Sequence, residues 1–177
     1  MTERLWLDAD AQATIEAEAR LRRIRETGGP LFGYVARDGD LVVTRAFAPG
    51  PKATHRRRRL IADQAHTQSL IERVFEASKG QEIYLGEWHT HPLSAARPSG
   101  RDLKTLEEIA SQDTVDLARP LALIQQTKPV ARRFRIGELA AFLWDPDQRV
   151  ARRLPLTLTT CQTPPLPGAS SSGSPCG

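Results

Sequence analysis

Only four histidines occur in the 177 residues, and two of them, His89 and His91, stand one residue apart at the end of the run "YLGEWHTHP". In an extended strand, residues i and i+2 face the same way, so the two imidazoles project side by side. Two imidazoles so placed can both reach one Zn²⁺ at about 2.0–2.1 Å, and a catalytic zinc takes three protein ligands with a further position left for water. Asp102 is the natural third ligand. It follows a ten-residue loop containing Pro92 and Pro98, and a carboxylate in the first turn of a helix is favoured by the helix dipole. Ser99 and Asp102 equally have the Ser-x-x-Asp spacing of a capping box ahead of an apolar run. A His-x-His pair can also be two partly buried polar side chains. Neither plain reading accounts for the whole: a capping box does not explain the histidines, and core histidines do not explain the loop.

The elements that must position these residues alternate between helix and strand. "LDADAQATIEAEARLRRIRETGG" begins with aspartates suited to a cap and ends in two glycines, and Ala13, Ala17, Leu21 and Ile24 form its apolar stripe, with Ile15 off it. "PLFGYVAR" and "LVVTRAFA" around "DGD" predict a β-hairpin, and "PGPKATHRRRR" a loop. "DQAHTQSLIERVFEASKG" predicts a helix capped by Asp63, with Leu70, Ile71, Val74 and Phe75 on one face and Gly80 past its end. "EIYLGEW" is a strand leading into the histidines, and "DLKTLEEIASQ" a helix with Leu103, Leu106 and Ile109 on one side. "RPLALIQQ", "RRFRIGE" and "LAAFLWD" are further strands.

Taken together, His89-Thr90-His91-Pro92, Ser99 and Asp102 reproduce the pattern His-x-His-x7-Ser-x2-Asp. This resembles the signature of the JAMM metallopeptidases, the zinc-dependent members of the JAB/MPN family. The family also carries a glutamate where its first helix meets a strand, and "RETGGPLFGY" resembles that element with Glu26 in the matching place. The resemblance covers about residues 5 to 145. It implies an α/β fold of the α+β type, the MPN fold: a mixed curved sheet flanked by helices in a single domain. It further implies that His89, His91 and Asp102 bind one Zn²⁺ per chain. Glu26 would take the proton of the attacking water and return it to the leaving amine, and Ser99 would donate to the oxyanion. Glu87, two residues before His89 and on the same strand face, is the rival for the base. Gly28 and Gly29 favour Glu26, because they let the backbone turn tightly and pass close to the site.

The implied substrate is a ubiquitin-like or similarly conjugated protein, cleaved after its C-terminus as a peptide or isopeptide. The bacterial stand-alone branch implies deconjugation in an antiphage or integrative-element system. An extended tail could add to a strand edge beside the zinc, with "PLFGYVAR" and the segment around "LSAARPS" as the candidate edges. Two readings from other classes stand beside this one. A zinc-holding scaffold would need neither Glu26 nor Ser99. A nucleic-acid protein of the related DNA-repair branch would draw on the basic run "THRRRRL", but one run without interleaved aromatics is a weak nucleic-acid signal and reads as a solvated loop.

Composition bounds the rest. With 40% hydrophobic residues and a net charge of +4, the chain can bury one core. Cys161 and Cys176 both lie near the C-terminus, which excludes a disulfide framework or a four-cysteine metal site. No apolar stretch suits a signal peptide or a membrane span, so a cytoplasmic location is expected. Beyond Arg153 there is no charged residue, and five prolines, four serines and three glycines crowd the last 24 positions. The expected division is therefore a domain over 1–153 and a disordered tail over 154–177.

Overall fold

The computed structural model describes residues 3–112, 117–130 and 133–160. It opens with a strand that periodicity did not signal, β1 (Leu5–Asp8), with Leu5 and Leu7 fully buried. Asp8 ends the strand and caps helix α1 (Ala9–Arg22), its carboxylate accepting the Asp10 amide. The expected stripe of α1 is wrong by a turn of the wheel. Ala11, Ile15 and Ala19 face the sheet together with Glu18, while Ala13, Ala17, Leu21 and Ile24 are exposed. Alanine lies on both faces of this helix, so the strand leading directly into it, and not apolar spacing, selects the buried side.

The predicted hairpin forms as β2 (Gly28–Val35) and β3 (Leu41–Ala46), paired antiparallel. The segment read as a loop instead ends in a two-stranded ribbon, β4 (Thr54–Arg56) and β5 (Arg59–Ile61). Helix α2 (Gln64–Ala77) is capped by Asp63, which accepts the His66 amide; it buries Leu70 and Val74, but Phe75 stays exposed. Strand β6 (Ile83–Pro92) carries both histidines within it. Helix α3 (Gly100–Ala110) follows, then β7 (Leu121–Val130), β8 (Arg133–Asp145), β9 (Val150–Leu154) and β10 (Leu156–Thr159). The segments "RRFRIGE" and "LAAFLWD" are thus one strand, β8.

The strands form one mixed sheet in the order β10-β1-β3-β2-β6-β7-β8-β9. Its two edges, β9 and β10, are joined through Pro155 alone, whose carbonyl accepts the Leu5 amide at 2.8 Å. Edges linked by one residue cannot lie far apart, so the sheet curls until it is nearly closed. Helix α1 packs inside the curl against Leu5, Leu31, Val43, Leu85, Trp88 and Leu123. The other face is covered by α3, through Leu106 on Ala122, Ile124 and Phe142, and by α2, through Leu70 and Val74 on Phe32 and Tyr84. The α+β, MPN-type single domain is as expected, but the boundary at 153 is not. Leu154 is buried at 3% exposure, and β10 pairs in parallel with β1, Leu5 opposite Leu156. Leu154 to Thr159, expected in the tail, thus belong to the sheet, and the remainder of that expected tail from 161, with Cys161 and Cys176, lies outside the described residues.

Candidate metal centre

Strand β6 alternates as its sequence requires. His89 and His91 leave one face, and Trp88 leaves the other to pack in the α1 core. The first turn of α3 brings Asp102 over the pair. His89 Nε2 lies 3.3 Å from Asp102 Oδ1, His91 Nε2 lies 3.3 Å from Oδ2, and the two Nε2 atoms are 3.0 Å apart. One ligand atom from each residue falls within 4.8 Å of the others, the one such grouping among the described residues. An ion with bonds of about 2.0–2.1 Å in tetrahedral geometry spaces its ligand atoms by about 3.3–3.4 Å, close to the separations seen here.

The surroundings orient two of these groups. His91 Nδ1 donates to the Ala95 carbonyl at 3.1 Å, which fixes the ring with Nε2 facing His89 and Asp102. That carbonyl is held by its loop, since Leu93 donates to Thr127, Gln126 donates to the Ser94 carbonyl and Ala96 is fully buried. Burial pushes the Asp102 carboxyl up, but hydrogen bonds from His89 and His91 prevail and hold it well below the ordinary carboxylate range. Asp102 is thus an ionised acceptor. For His91, burial acts downward and is outweighed by Asp102, the Ala95 carbonyl and Glu26, for a net rise.

Ser99 and Asp102 do form the capping box. The Ser99 amide donates to Asp102 Oδ2 at 2.6 Å, and the Asp102 amide donates to Ser99 Oγ at 3.3 Å. The plain and the functional readings of this pair are one structure, because the cap fixes the carboxylate that faces the histidines. In that bond Ser99 Oγ is the acceptor, so its own proton stays available to donate.

Glu26 sits half-buried between α1 and β2, held through its backbone. Its amide donates to the Arg56 carbonyl at 2.8 Å, and His55 Nδ1 donates to its carbonyl at 3.0 Å, both from the β4–β5 ribbon. Burial raises the Glu26 carboxyl; the positive fields of His89 and His91 oppose this, and the charge of Asp102 adds to it. Gly28 pairs with His89, and a Cβ there would come within 2.2 Å of the Trp88 carbonyl oxygen. Gly28 and Gly29 are not among the residues with positive φ, so close approach and not a tight turn is their use.

Glu26, Glu87, His89, Arg101 and Asp102 all line one cleft of about 930 Å³ between α2, α3 and the ribbon. Glu87 is engaged elsewhere. Burial raises its carboxyl, against the field of His89 and a hydrogen bond from the Tyr84 hydroxyl. Sequence reasoning missed the ribbon's grip on Glu26, the Ala95 carbonyl and Thr90, whose hydroxyl accepts the Thr27 amide at 3.0 Å. The alternation of β6 could have singled out Thr90, since the residue between two that share a face must point the opposite way. The expected docking edge "PLFGYVAR" is corrected: as β2 it is paired on both sides, by β3 and β6. The segment around "LSAARPS" is not a strand.

A mixed, curled sheet with a His-His-Asp centre defines a class, and comparison with known proteins identifies it. Residues 8–137 match the family described as prokaryotic homologs of the JAB domain, and the chain belongs to that family. It is 27% identical over 125 residues to a probable metalloprotease, y4qB, of Sinorhizobium fredii, covering 70% of this chain and 76% of that one. It is 39% identical over 80 residues to a CD-NTase/cGAS isopeptidase of Escherichia coli, covering 45% of this chain and 51% of that one. The chain thus spans about half the length of that relative. The solution structure of DSY2949 from Desulfitobacterium hafniense has the same fold, with a TM-score of 0.59 at 20% identity over 88% of this chain and 93% of that one.

Proposed function

We propose that this JAB-type hydrolase is a zinc-dependent isopeptidase that releases a protein conjugated through its C-terminus. The convergence of His89, His91 and Asp102, with Glu26, His89 and Asp102 lining one cleft, carries this reading. His89, His91 and Asp102 would hold the ion. When bound, Zn²⁺ supplies a Lewis acid that polarises the scissile carbonyl and acidifies a water. Glu26, its carboxyl raised by burial, takes the proton of the attacking water and hands it to the leaving amine. Ser99 donates its remaining Oγ proton to the oxygen on which charge develops, a contact worth about 2.7–4 kcal/mol where it has been removed in other enzymes.

The substrate chemistry follows from the cleft. Among the described residues, strand β5 has β4 on one side and no strand on the other, and Arg59, Leu60 and Ile61 line the cleft. An extended C-terminal tail can add to that edge through main-chain hydrogen bonds and bring its final carbonyl to the centre. Relatives named CD-NTase/cGAS isopeptidase support a protein of that kind as the conjugated partner. The test uses two linear fusions, one with a CD-NTase and one with a ubiquitin-like protein placed ahead of a fluorescent protein. Cleavage at the junction that stops with chelator and returns with zinc is expected. Cleavage indifferent to chelator, or full metal content in His89→Ala, would sink the reading. No helix among the described residues is long and apolar enough to cross a membrane.

A further inference from the structure

The residue between the two histidines is Thr90, 1% exposed, and its side chain points away from the cleft. At its position the β2–β6 ladder stops being regular. The Thr90 amide donates to the Thr27 carbonyl at 2.7 Å, as a strand pair requires. In a regular antiparallel pair the Thr27 amide would donate back to the Thr90 carbonyl. Instead it donates to the Thr90 hydroxyl, Oγ1, at 3.0 Å. A side chain therefore closes the ladder where the chain leaves the sheet, one residue from Glu26. Thr27 is fully buried, and its own hydroxyl donates to Glu18 of α1 at 2.9 Å.

We infer that Thr90 is a positioning residue for Glu26. One strand then sets both halves of the chemistry: alternate side chains of β6 aim the metal ligands from one face and, through Thr90 and Thr27, aim the base from the other. The inference rests on the reading of Glu26 as the base. Among the described residues, the hydrogen bonds of Glu26 run through its backbone, to Arg56 and His55. The Thr27 clamp is the inner anchor of the same stretch. Misplacement of a catalytic group by about 1 Å can cost about 10²-fold in rate, so loss of this anchor falls on turnover and not on capture of substrate.

The test compares Thr90→Val, which keeps the shape and removes the acceptor, with Thr90→Ser, which keeps the hydroxyl. In chelator-treated protein, hydrogen exchange of the Thr27 amide followed by NMR should speed up in Thr90→Val and stay slow in Thr90→Ser. On whichever fusion protein is cleaved, Thr90→Val should lose about 10- to 10²-fold in kcat with KM and zinc content unchanged, and Thr90→Ser should keep its kcat. Combined with Glu26→Gln, Thr90→Val should cost nothing more, because a residue acting only through Glu26 has nothing left to position. Parental kcat in Thr90→Val, unchanged Thr27 exchange, or additive losses in the double variant would overturn the inference. If Thr90→Val does not fold, Thr90→Ala takes its place; failure of both to fold assigns the hydroxyl to stability and overturns it too. Glu26→Gln cleaving at the parental rate shows instead that the base was misassigned, and removes the group Thr90 would serve.

Discussion

Glu26 and Glu87 reach the same cleft, and their surroundings divide the work between them. Tyr84 donates to Glu87, whereas the hydrogen bonds of Glu26 among the described residues run through its backbone and leave its carboxylate for other use. Glu26→Gln should retain its metal by elemental analysis and lose at least about 10²-fold in cleavage, the lower range of general acid–base catalysis. Glu87→Gln should cleave at a rate near the parent's; the reverse ranking would exchange their roles. Ser99 allows a finer separation, since its Oγ is both cap and proposed donor. Glycine is nearly as good an N-cap as serine, while alanine costs about 1 kcal/mol. Ser99→Gly should therefore melt close to the parent and still lose about 10²–10³-fold in kcat. If Ser99→Gly retains activity while Ser99→Ala loses it, the cap is the only function of that hydroxyl.

Among the elements, the last two strands matter most, because they return the chain to its start. Leu154 is buried, and β10 covers the free edge of β1. Truncation after Arg153 removes both. Burial of one leucine side chain contributes about 1.5–3 kcal/mol, and domains of this size shift by about 2–4 °C per kcal/mol. Calorimetry should show the melting temperature falling by about 5 °C or more, whereas truncation after Thr160 spares both strands and should leave it near the parent's. Equal melting of the two truncated chains would remove β10 from the folded unit.

For the whole molecule, a bound ion should act as a brace between β6 and α3, the two elements that carry His89, His91 and Asp102. A ligand that binds only the folded state stabilises by about 2.7 kcal/mol at a hundred times its Kd. Zinc at that excess should raise the melting temperature of the chelator-treated protein by about 5–11 °C. His91→Ala should show no such rise, and a rise of full size in that variant would place the bound ion elsewhere.

The His-His-Asp cluster was legible in the sequence because its geometry is local. Two residues apart on a strand put His89 and His91 on one face, and three residues apart at a helix start lock Ser99 to Asp102. The capped helix α2 and the hairpin β2–β3 were legible for the same reason, as period and punctuation act over a few residues. What neighbouring residues do not contain was decided by tertiary structure. β1 and β10 are four-residue strands, too short to carry a pattern; β1 pairs with β3 as well as β10, and β10 is placed by pairing with β1 at the other end of the chain. The buried face of α1 follows from its strand, and the expectation of β2 as a docking edge failed because β2 is enclosed on both sides. The bond from Thr27 to Thr90 spans 63 positions. No periodicity reaches that far, so the seat of Glu26 beside the histidines is a product of how the strands pair.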